Sequence, residues 1–409
     1  MFSCKFCRSK NLKQIVNLGS TPLANTYIKK YQDFKYEKNY LLKVKFCKKC
    51  KLIQVPHNIK PNKIFVEYDY LSGTSRTWIK HCEKFFIKVT KKFKLKSKSN
   101  YILEIGSNDG SLLKFFKQKN FNCIGIEPSK YAAKIARSQN KINTINDFLT
   151  PKLAHKIIKN KKVNLIIANN VIAHILDING FINAISILSN EKTIISIEFP
   201  YVLNLFKSLQ FDTIYHEHHY YYSLESIQIL LKKYNLFIFD LEKINIHGGS
   251  IRIFVKKKFN KKIKKTKKLI NEIKKERKMK IYNDKNIKEF SQKIKKIKLN
   301  TRKYLEFLKK TKKKISAYGA AAKGNTFLNY CGINNKTIDF IYDENKLKQN
   351  KYLPGSKIKI LDPKQIKNNK PDFIVILPWN IKSEVLKTYK YVKNWGCKFI
   401  VFIPKIKLY

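Results

Sequence analysis

Acidic residues are scarce in this 409-residue chain: 28 Asp and Glu stand against 86 Lys and Arg, for a formal net charge of +58. Arginine is also scarce, so nearly all of that positive charge is lysine. Lysine is a hydrated point charge without the planar fork that arginine offers to phosphates and base edges. Ile, Asn, Tyr and Phe are enriched beside it, the joint bias that an AT-rich coding sequence produces. The charge therefore reads as a solvated surface, and nucleic acid is not expected as a partner. Long apolar runs are missing too. No stretch reaches the ~18 consecutive apolar residues of a membrane helix, and the opening MFSCKFCRSK lacks the apolar core of a signal peptide. A soluble, cytoplasmic protein is expected, monomeric and without a membrane partner. There is no fixed-period repeat, which excludes a solenoid, and at roughly 100 to 200 residues per domain the length implies two to four domains.

Cysteine is sparse, and half of it is paired by spacing. Cys4 and Cys7 form one CxxC and Cys47 and Cys50 another, both in Lys-rich turns. In a cytosolic chain a disulfide framework is not expected. Two thiolates three residues apart can grip the same tetrahedral ion, and two such pairs complete a closed structural zinc site. The gap between the pairs exceeds the usual finger spacing. Cys82, Cys123, Cys331 and Cys397 are scattered and read as core residues.

Beyond about Thr77 the apolar residues take helical spacing, and then short apolar strands alternate with helices: YILEIG, NCIGIE, VNLIIAN and TIISIEF, with LFIFDLEKI and GGSIRIFVKK near the end. This alternation predicts an α/β domain with a parallel, doubly wound sheet. From Lys256 to Lys314 the chain is Lys-rich and nearly free of glycine. Ile287, Phe290, Ile294, Ile297, Tyr304 and Leu308 keep one apolar helical stripe there, as expected of long helices bridging two domains. The last hundred residues repeat the alternation as a second, smaller Rossmann-like unit. The expected division is a zinc module at 1–70, the main α/β domain at 71–255, a helical bridge at 256–314 and the second unit at 315–409.

The dinucleotide fingerprint GxGxxG is absent. In its place Glu104, Gly106 and Gly110 spell ExGxxxG between a predicted strand and helix, where glycines allow close backbone approach to a ligand and the helix start offers free amides. Ser107 and Asn108 lie within that turn. Glu127 ends the next strand, placed to accept hydrogen bonds from a ribose diol, and Asp147 with Phe148 offers a polar edge and a ring for an adenine. Asn169 ends the following strand. This set suits S-adenosylmethionine, which needs a ribose acceptor and an adenine slot but no phosphate cradle. A second glycine turn, AYGAAAKGN with Gly319 and Gly324, precedes Asp343 at a strand end; it reads equally as a nucleotide turn or as helix packing.

HExxH is absent as well, although TIYHEHHYYYS, Thr213 to Ser223, holds three of the eight His residues. Adjacent His218 and His219 suit one ion poorly, so a metal cage is not expected. As a strand the segment would put Tyr215, Glu217 and His219 on one face and His216 and His218 on the other; as a loop it escapes that constraint. Catalysis is the better reading, because His titrates near physiological pH and a neighbouring carboxylate orients the ring and stabilises its cation. His174 follows IIANNV at the carboxyl edge of the sheet.

These strings together resemble the sugar C-methyltransferases that use S-adenosylmethionine to methylate C3 of nucleotide-linked 4-keto deoxysugars, the group that includes enzymes of tylosin and kijanose-type sugar biosynthesis. The resemblance spans essentially the whole chain: the two CxxC pairs, LGSTPLANTYI, YDYLSGTSRTWIKH, EIGSNDG, ANNVIAH, YHEHHYYYS, HGGSIRIF and AYGAAAKGN. It implies a zinc-binding N-terminal module, a central class I methyltransferase Rossmann domain and a C-terminal Rossmann-like domain that helps hold the nucleotide sugar. It also implies His218 as general base, assisted by Tyr215, Glu217 and His174. His218 would take the proton from C3, which is acidified by the C4 ketone, Glu217 would support the resulting cation, and Tyr215 or His174 would donate to the enolate oxygen. Carbon and methyl group must then be held about 3 to 3.5 Å apart. His216, His219 and Tyr220 to Tyr222 are left as packing or substrate wall. Two other readings are a nucleic-acid methyltransferase with a zinc ribbon, against which ANNVIAH lacks an aromatic clamp for a flipped base, and a non-catalytic nucleotide-sugar-binding scaffold.

Overall fold

A computed structural model describes residues 2–56, 59, 71–74, 76–159, 161–245, 248–259 and 264–409. Residues 66–70 of the VEYDYLSG string and His247 of HGGS lie outside the described residues.

The N-terminal part is a small antiparallel sheet. Strand β1 (Leu12–Thr21) pairs with β2 (Tyr40–Cys47), which pairs with β3 (Ile53–Gln54). The two CxxC pairs flank these strands as matching knuckles. Arg8 N–H donates to Cys4 O at 3.0 Å and Lys51 N–H to Cys47 O at 2.8 Å, and both residues have positive φ. This tight turn is what carries two sulfurs to one side of the backbone.

The central sheet is built from β4 (Tyr101–Ile105), β5 (Asn122–Ile126), β6 (Thr144–Ile145), β7 (Val163–Asn169) and β8 (Ile194–Pro200), all parallel. Then follow β9 (Tyr220–Tyr221), β10 (Leu236–Ile244) and β11 (Ser250–Lys257). Its order is β10-β11-β8-β7-β4-β5-β6, with β11 antiparallel to both neighbours. The Ile-rich runs of β7 and β8 are buried on both faces, as a helix-covered parallel sheet requires. The helix Arg76–Phe93 packs over it, anchored where its His81 meets Glu198 of β8 at 3.2 Å. Arg252 of β11 also bonds that buried carboxylate, and although burial pushes its pKa up, Arg252 and His81 outweigh it and hold Glu198 at about 2.

Helices Lys267–Met279 and Asp284–Lys310 form the basic bridge. Of the predicted stripe, Ile287, Phe290, Ile294, Ile297 and Leu308 are buried and Tyr304 is half-buried. The last sheet comprises β12 (Ile315–Tyr318), β13 (Phe340–Tyr342), β14 (Lys359–Leu361), β15 (Phe373–Ile376), β16 (Lys398–Val401) and β17 (Lys407–Leu408), in the order β14-β13-β12-β15-β16-β17. It is parallel apart from the edge strand β17.

The His-rich segment is not an extended strand. Thr213 to His219 turn, and the chain becomes extended only from Tyr220: Tyr220–Tyr221 form β9, which pairs with β3 and so joins the first sheet to the central domain, and Tyr222 bridges to Tyr201. The period-two division of its side chains therefore does not apply. Among the described residues no helix is long and apolar enough to cross a membrane.

Candidate active site

At the carboxyl edge of the central sheet the chain leaves β4 through Gly106 (φ +65°), Asn108 (φ +50°) and Gly110 (φ +79°). A Cβ on Gly106 would stand 2.6 Å from Val171 Cγ2, so the turn admits no side chain there. Glu127, at the end of β5, accepts the N–H groups of Asn108 and Ser129, both at 2.8 Å, and thereby shapes the turn. Burial raises its pKa.

Several buried polar atoms at this edge have no hydrogen-bond partner among the described residues: Glu104 Oε2, Ser107 Oγ and both side-chain atoms of Asn169. Native interiors leave few such atoms, and each costs roughly 1 to 3 kcal/mol unless something satisfies it. Three residues on β4, its turn and β7 are thus arranged for a polar ligand. Burial also pushes Glu104 well above the usual carboxylate range. Asp147 is exposed and accepts Phe148 N–H at 2.7 Å, leaving the half-buried Phe148 ring beyond β6. The donor set fits S-adenosylmethionine, with Glu104, Gly106, Ser107, Asn108, Gly110, Glu127, Asp147, Phe148 and Asn169 as the residues that would hold it.

Five residues after Asn169, the same strand exit presents His174. The His-rich turn packs against this exit: His219 N–H donates to Ala173 O at 2.8 Å and the Tyr222 hydroxyl to Ile172 O at 3.0 Å. The His174 and His218 rings are 4.7 Å apart between centroids, at 66°. Tyr215 Oη is 2.7 Å from His218 Nε2, and His218 Nδ1 is 3.1 Å from Thr213 O.

These contacts set the tautomers. A carbonyl oxygen only accepts, so His218 carries its proton on Nδ1, and Nε2 is the basic atom, accepting the Tyr215 O–H. Burial, reinforced by the neighbouring His174, holds His218 well below the usual imidazole range. By the same reasoning His174 donates Nδ1–H to Glu217 O at 2.9 Å and has its lone pair on Nε2. Burial lowers it to about 4. A neutral His174 of this tautomer has no proton left to donate to a substrate oxygen.

Glu217 does not stand against the His218 ring as expected. Thr213 O occupies the Nδ1 position, and the Glu217 carboxylate accepts from Asn25 Nδ2 at 3.4 Å, while its Oε2 is buried without a hydrogen-bond partner among the described residues. Burial raises its pKa to about 7. His216 Nε2 lies 3.2 Å from Tyr40 O, and Tyr220 and Tyr221 donate to Leu176 O and Thr213 O. These residues form packing around the turn.

Two contributors escaped the sequence reading. Asn25 comes from LGSTPLANTYI, and the string itself was the only signal. Asp212, directly before Thr213, accepts Trp379 Nε1–H at 2.7 Å and so ties the turn to the last domain; nothing in the sequence marks that pairing.

At the N-terminus the sulfurs of Cys4, Cys7, Cys47 and Cys50 all lie within 4.8 Å of one another. Cys4 to Cys50 is 3.6 Å and Cys7 to Cys47 is 3.5 Å. A tetrahedral ion with bonds of about 2.3 Å to sulfur calls for edges near these lengths, so the four thiols fit one structural zinc. Cys50 and nearby donors pull the Cys4 thiol down to about 5, whereas its partner Cys50 is pushed up by the same contact. Of the four cysteines expected in the core, Cys82, Cys331 and Cys397 are buried and Cys123 is half-buried.

Strand order, the glycine turn and its unsatisfied polar edge define a class I S-adenosylmethionine-dependent methyltransferase with a separate four-cysteine zinc module. Family models agree. One described as "Putative zinc binding domain" matches residues 4–65, "Methyltransferase domain" matches 78–240, and "C-methyltransferase C-terminal domain" matches 245–404. The chain is 30% identical over 404 residues to C-methyltransferase NovU of Streptomyces niveus, covering 98% of this chain and 95% of that protein. The protein belongs to this C-methyltransferase family and is a methyltransferase that uses S-adenosylmethionine. Among solved structures it is similar to a SAM-dependent methyltransferase from Anabaena variabilis (17% identity, TM-score 0.38, 48% of this chain and 92% of that one). It is also similar to magnesium protoporphyrin IX methyltransferase from Synechocystis (14%, TM-score 0.35, 43% and 81%). At those TM-scores neither likeness carries weight in the assignment.

Proposed function

We propose that the protein transfers a methyl group to C3 of a nucleotide-linked 4-keto deoxysugar, with His218 as general base. The observation that carries this reading is the Tyr215–His218 pair beside His174, held at the same strand exit as the cofactor edge. S-adenosylmethionine, when bound, supplies an electrophilic methyl group. His218 Nε2 takes the C3 proton, and Thr213 O stabilises the imidazolium through Nδ1–H. Tyr215, released from Nε2, donates to the enolate oxygen; the tautomer of His174 leaves Tyr215 as the donor. Glu217 Oε2 accepts a hydrogen bond from the sugar. The last domain, 315–409, helps hold the nucleotide. Division of the chain into a zinc module at 1–70, a methyltransferase domain at 71–255 and a bridge at 256–314 goes with this reading.

The test is methyl transfer from labelled S-adenosylmethionine to a panel of 4-keto sugar nucleotides and to RNA. Label in the sugar, with exchange of its C3 proton into deuterated water, is the expected result. Label in RNA alone overturns the reading.

A further inference from the structure

Gln54 has no exposed surface and sits on β3, four residues beyond Cys50. Both ends of its amide are used by the cysteine knuckles: Nε2 donates to Cys4 Sγ at 3.3 Å and Oε1 accepts Lys5 N–H at 3.1 Å. The residues on either side of it face the His-rich turn. Gln54 pairs with Tyr220 and Ile53 with Tyr221, and Val55 N–H donates to His219 O at 2.9 Å. The exit of the turn that carries Glu217 and His218 is thus bonded to a strand whose one buried polar side chain ends on a metal-site sulfur.

We propose that Gln54 is a positioning residue that anchors the exit of the catalytic turn to the cysteine-bound metal, so that metal occupancy sets where His218 stands. Strands β3 and β9 have two residues each, too few to hold their register alone. β3 is held by its pairing with β2, which Cys47 N–H closes by donating to Leu52 O at 2.9 Å within the knuckle, and by Gln54, fixed at the sulfur. An ion bound by all four sulfurs holds the Cys4 sulfur, and with it the acceptor of the Gln54 amide, in a fixed place beside Cys47 and Cys50. Without the ion the two knuckles are no longer tied to each other, the Gln54 amide loses a fixed partner, and β3 keeps only its short pairing with β2. The proposal rests on the assignment of His218 as base.

The test is amide hydrogen exchange followed by mass spectrometry on the full-length, zinc-loaded protein, the zinc-stripped protein and zinc-loaded Gln54→Met, which keeps the shape without the amide. Gln54→Met should retain zinc stoichiometry and bind S-adenosylmethionine within twofold of the parent. Amides of His219 to Tyr222 should exchange at least tenfold faster while those of β4 and β7 do not change, and the turnover number should fall at least tenfold with the KM for S-adenosylmethionine unmoved. Stripping zinc should produce the same local pattern. Unchanged exchange at His219 to Tyr222 in both samples overturns the proposal, as does a uniform increase that includes β4 and β7. If the parent enzyme methylates no 4-keto sugar nucleotide, the reading of the substrate fails while the exchange pattern still decides the link between metal and turn.

Discussion

The two parallel sheets open on the same device and use it differently. Each first strand ends in a glycine of positive φ, Gly106 (+65°) after β4 and Gly319 (+93°) after β12, and each second strand is followed by an acid, Glu127 or Asp343. At Gly319 the surroundings are closed by the protein itself. Asp343 accepts Ala320 N–H and Asn345 N–H, both at 2.8 Å. Ala320 O accepts from Lys348 at 2.9 Å and from the Tyr27 hydroxyl at 2.7 Å, and Pro378 fills the space a Cβ on Gly319 would need. At Gly106 the acid shapes the turn, but Glu104 Oε2, Ser107 Oγ and Asn169 remain unsatisfied among the described residues. A glycine turn at a strand end is therefore not a site in itself. What distinguishes the ligand-binding edge is buried polarity left without a protein partner.

The largest expected effect separates the chemistry at the central edge from binding there. His218→Ala should reduce methylation and C3 proton exchange by at least about a hundredfold while leaving S-adenosylmethionine affinity unchanged, as calorimetry and deuterium incorporation will measure. Glu217 comes next. Its folded pKa of about 7 lies above that of an unfolded Glu. A raised carboxyl pKa means that the folded state holds a proton that the unfolded state releases, so stability falls as pH rises between the unfolded value and about 7, and the deficit persists above. Glu217→Gln should remove that deficit, raising stability at pH 8 by roughly 3 kcal/mol and hardly at pH 4, with activity lost. Denaturant melts at the two pH values check the sign.

Removing one polar side chain from each turn contrasts the two sheets directly. Asp343→Ala orphans two amides and should cost about 2 kcal/mol of stability with no effect on S-adenosylmethionine binding. Asn169→Ala should leave the stability of the cofactor-free protein within about 0.5 kcal/mol and weaken S-adenosylmethionine binding roughly tenfold. If the two variants exchange these phenotypes, the open and closed edges have been assigned the wrong way round. The smallest effect is expected of Asn25→Ala, which removes one donor from Glu217 and should shift the midpoint of Glu217 titration upward by about one pH unit, read by carbon-13 NMR against Glu217→Gln.

Much of the architecture was legible because burial is written in periodicity. The Ile-rich strands β7 and β8, the ExGxxxG turn and the stripe from Ile287 to Leu308 announce themselves locally, and so do two CxxC pairs, since a chelating spacing is a property of a few adjacent residues. Less legible were strands of two or three residues, such as β6 and β14, which are too short to show any period. The His-rich segment was legible as composition but not as geometry. Tyr215, Glu217 and His218 stand out as a cluster, yet alternation along a strand would have parted Tyr215 from His218, and only the turn brings Oη to Nε2.

By itself, then, the sequence determined which residue types were present for the chemistry, the order of the strands' apolar runs and the spacing of the metal ligands. The tertiary structure alone decided the pairings: Thr213 O rather than Glu217 at His218 Nδ1, Asn25 at Glu217, Gln54 between a metal-site sulfur and Tyr220, and a closed edge at Gly319. The reason is physical. Propensity and periodicity act over a few residues, whereas a hydrogen bond between groups separated by 164 positions, as in Val55 N–H and His219 O, depends on how whole sheets pack and leaves no mark on the local sequence.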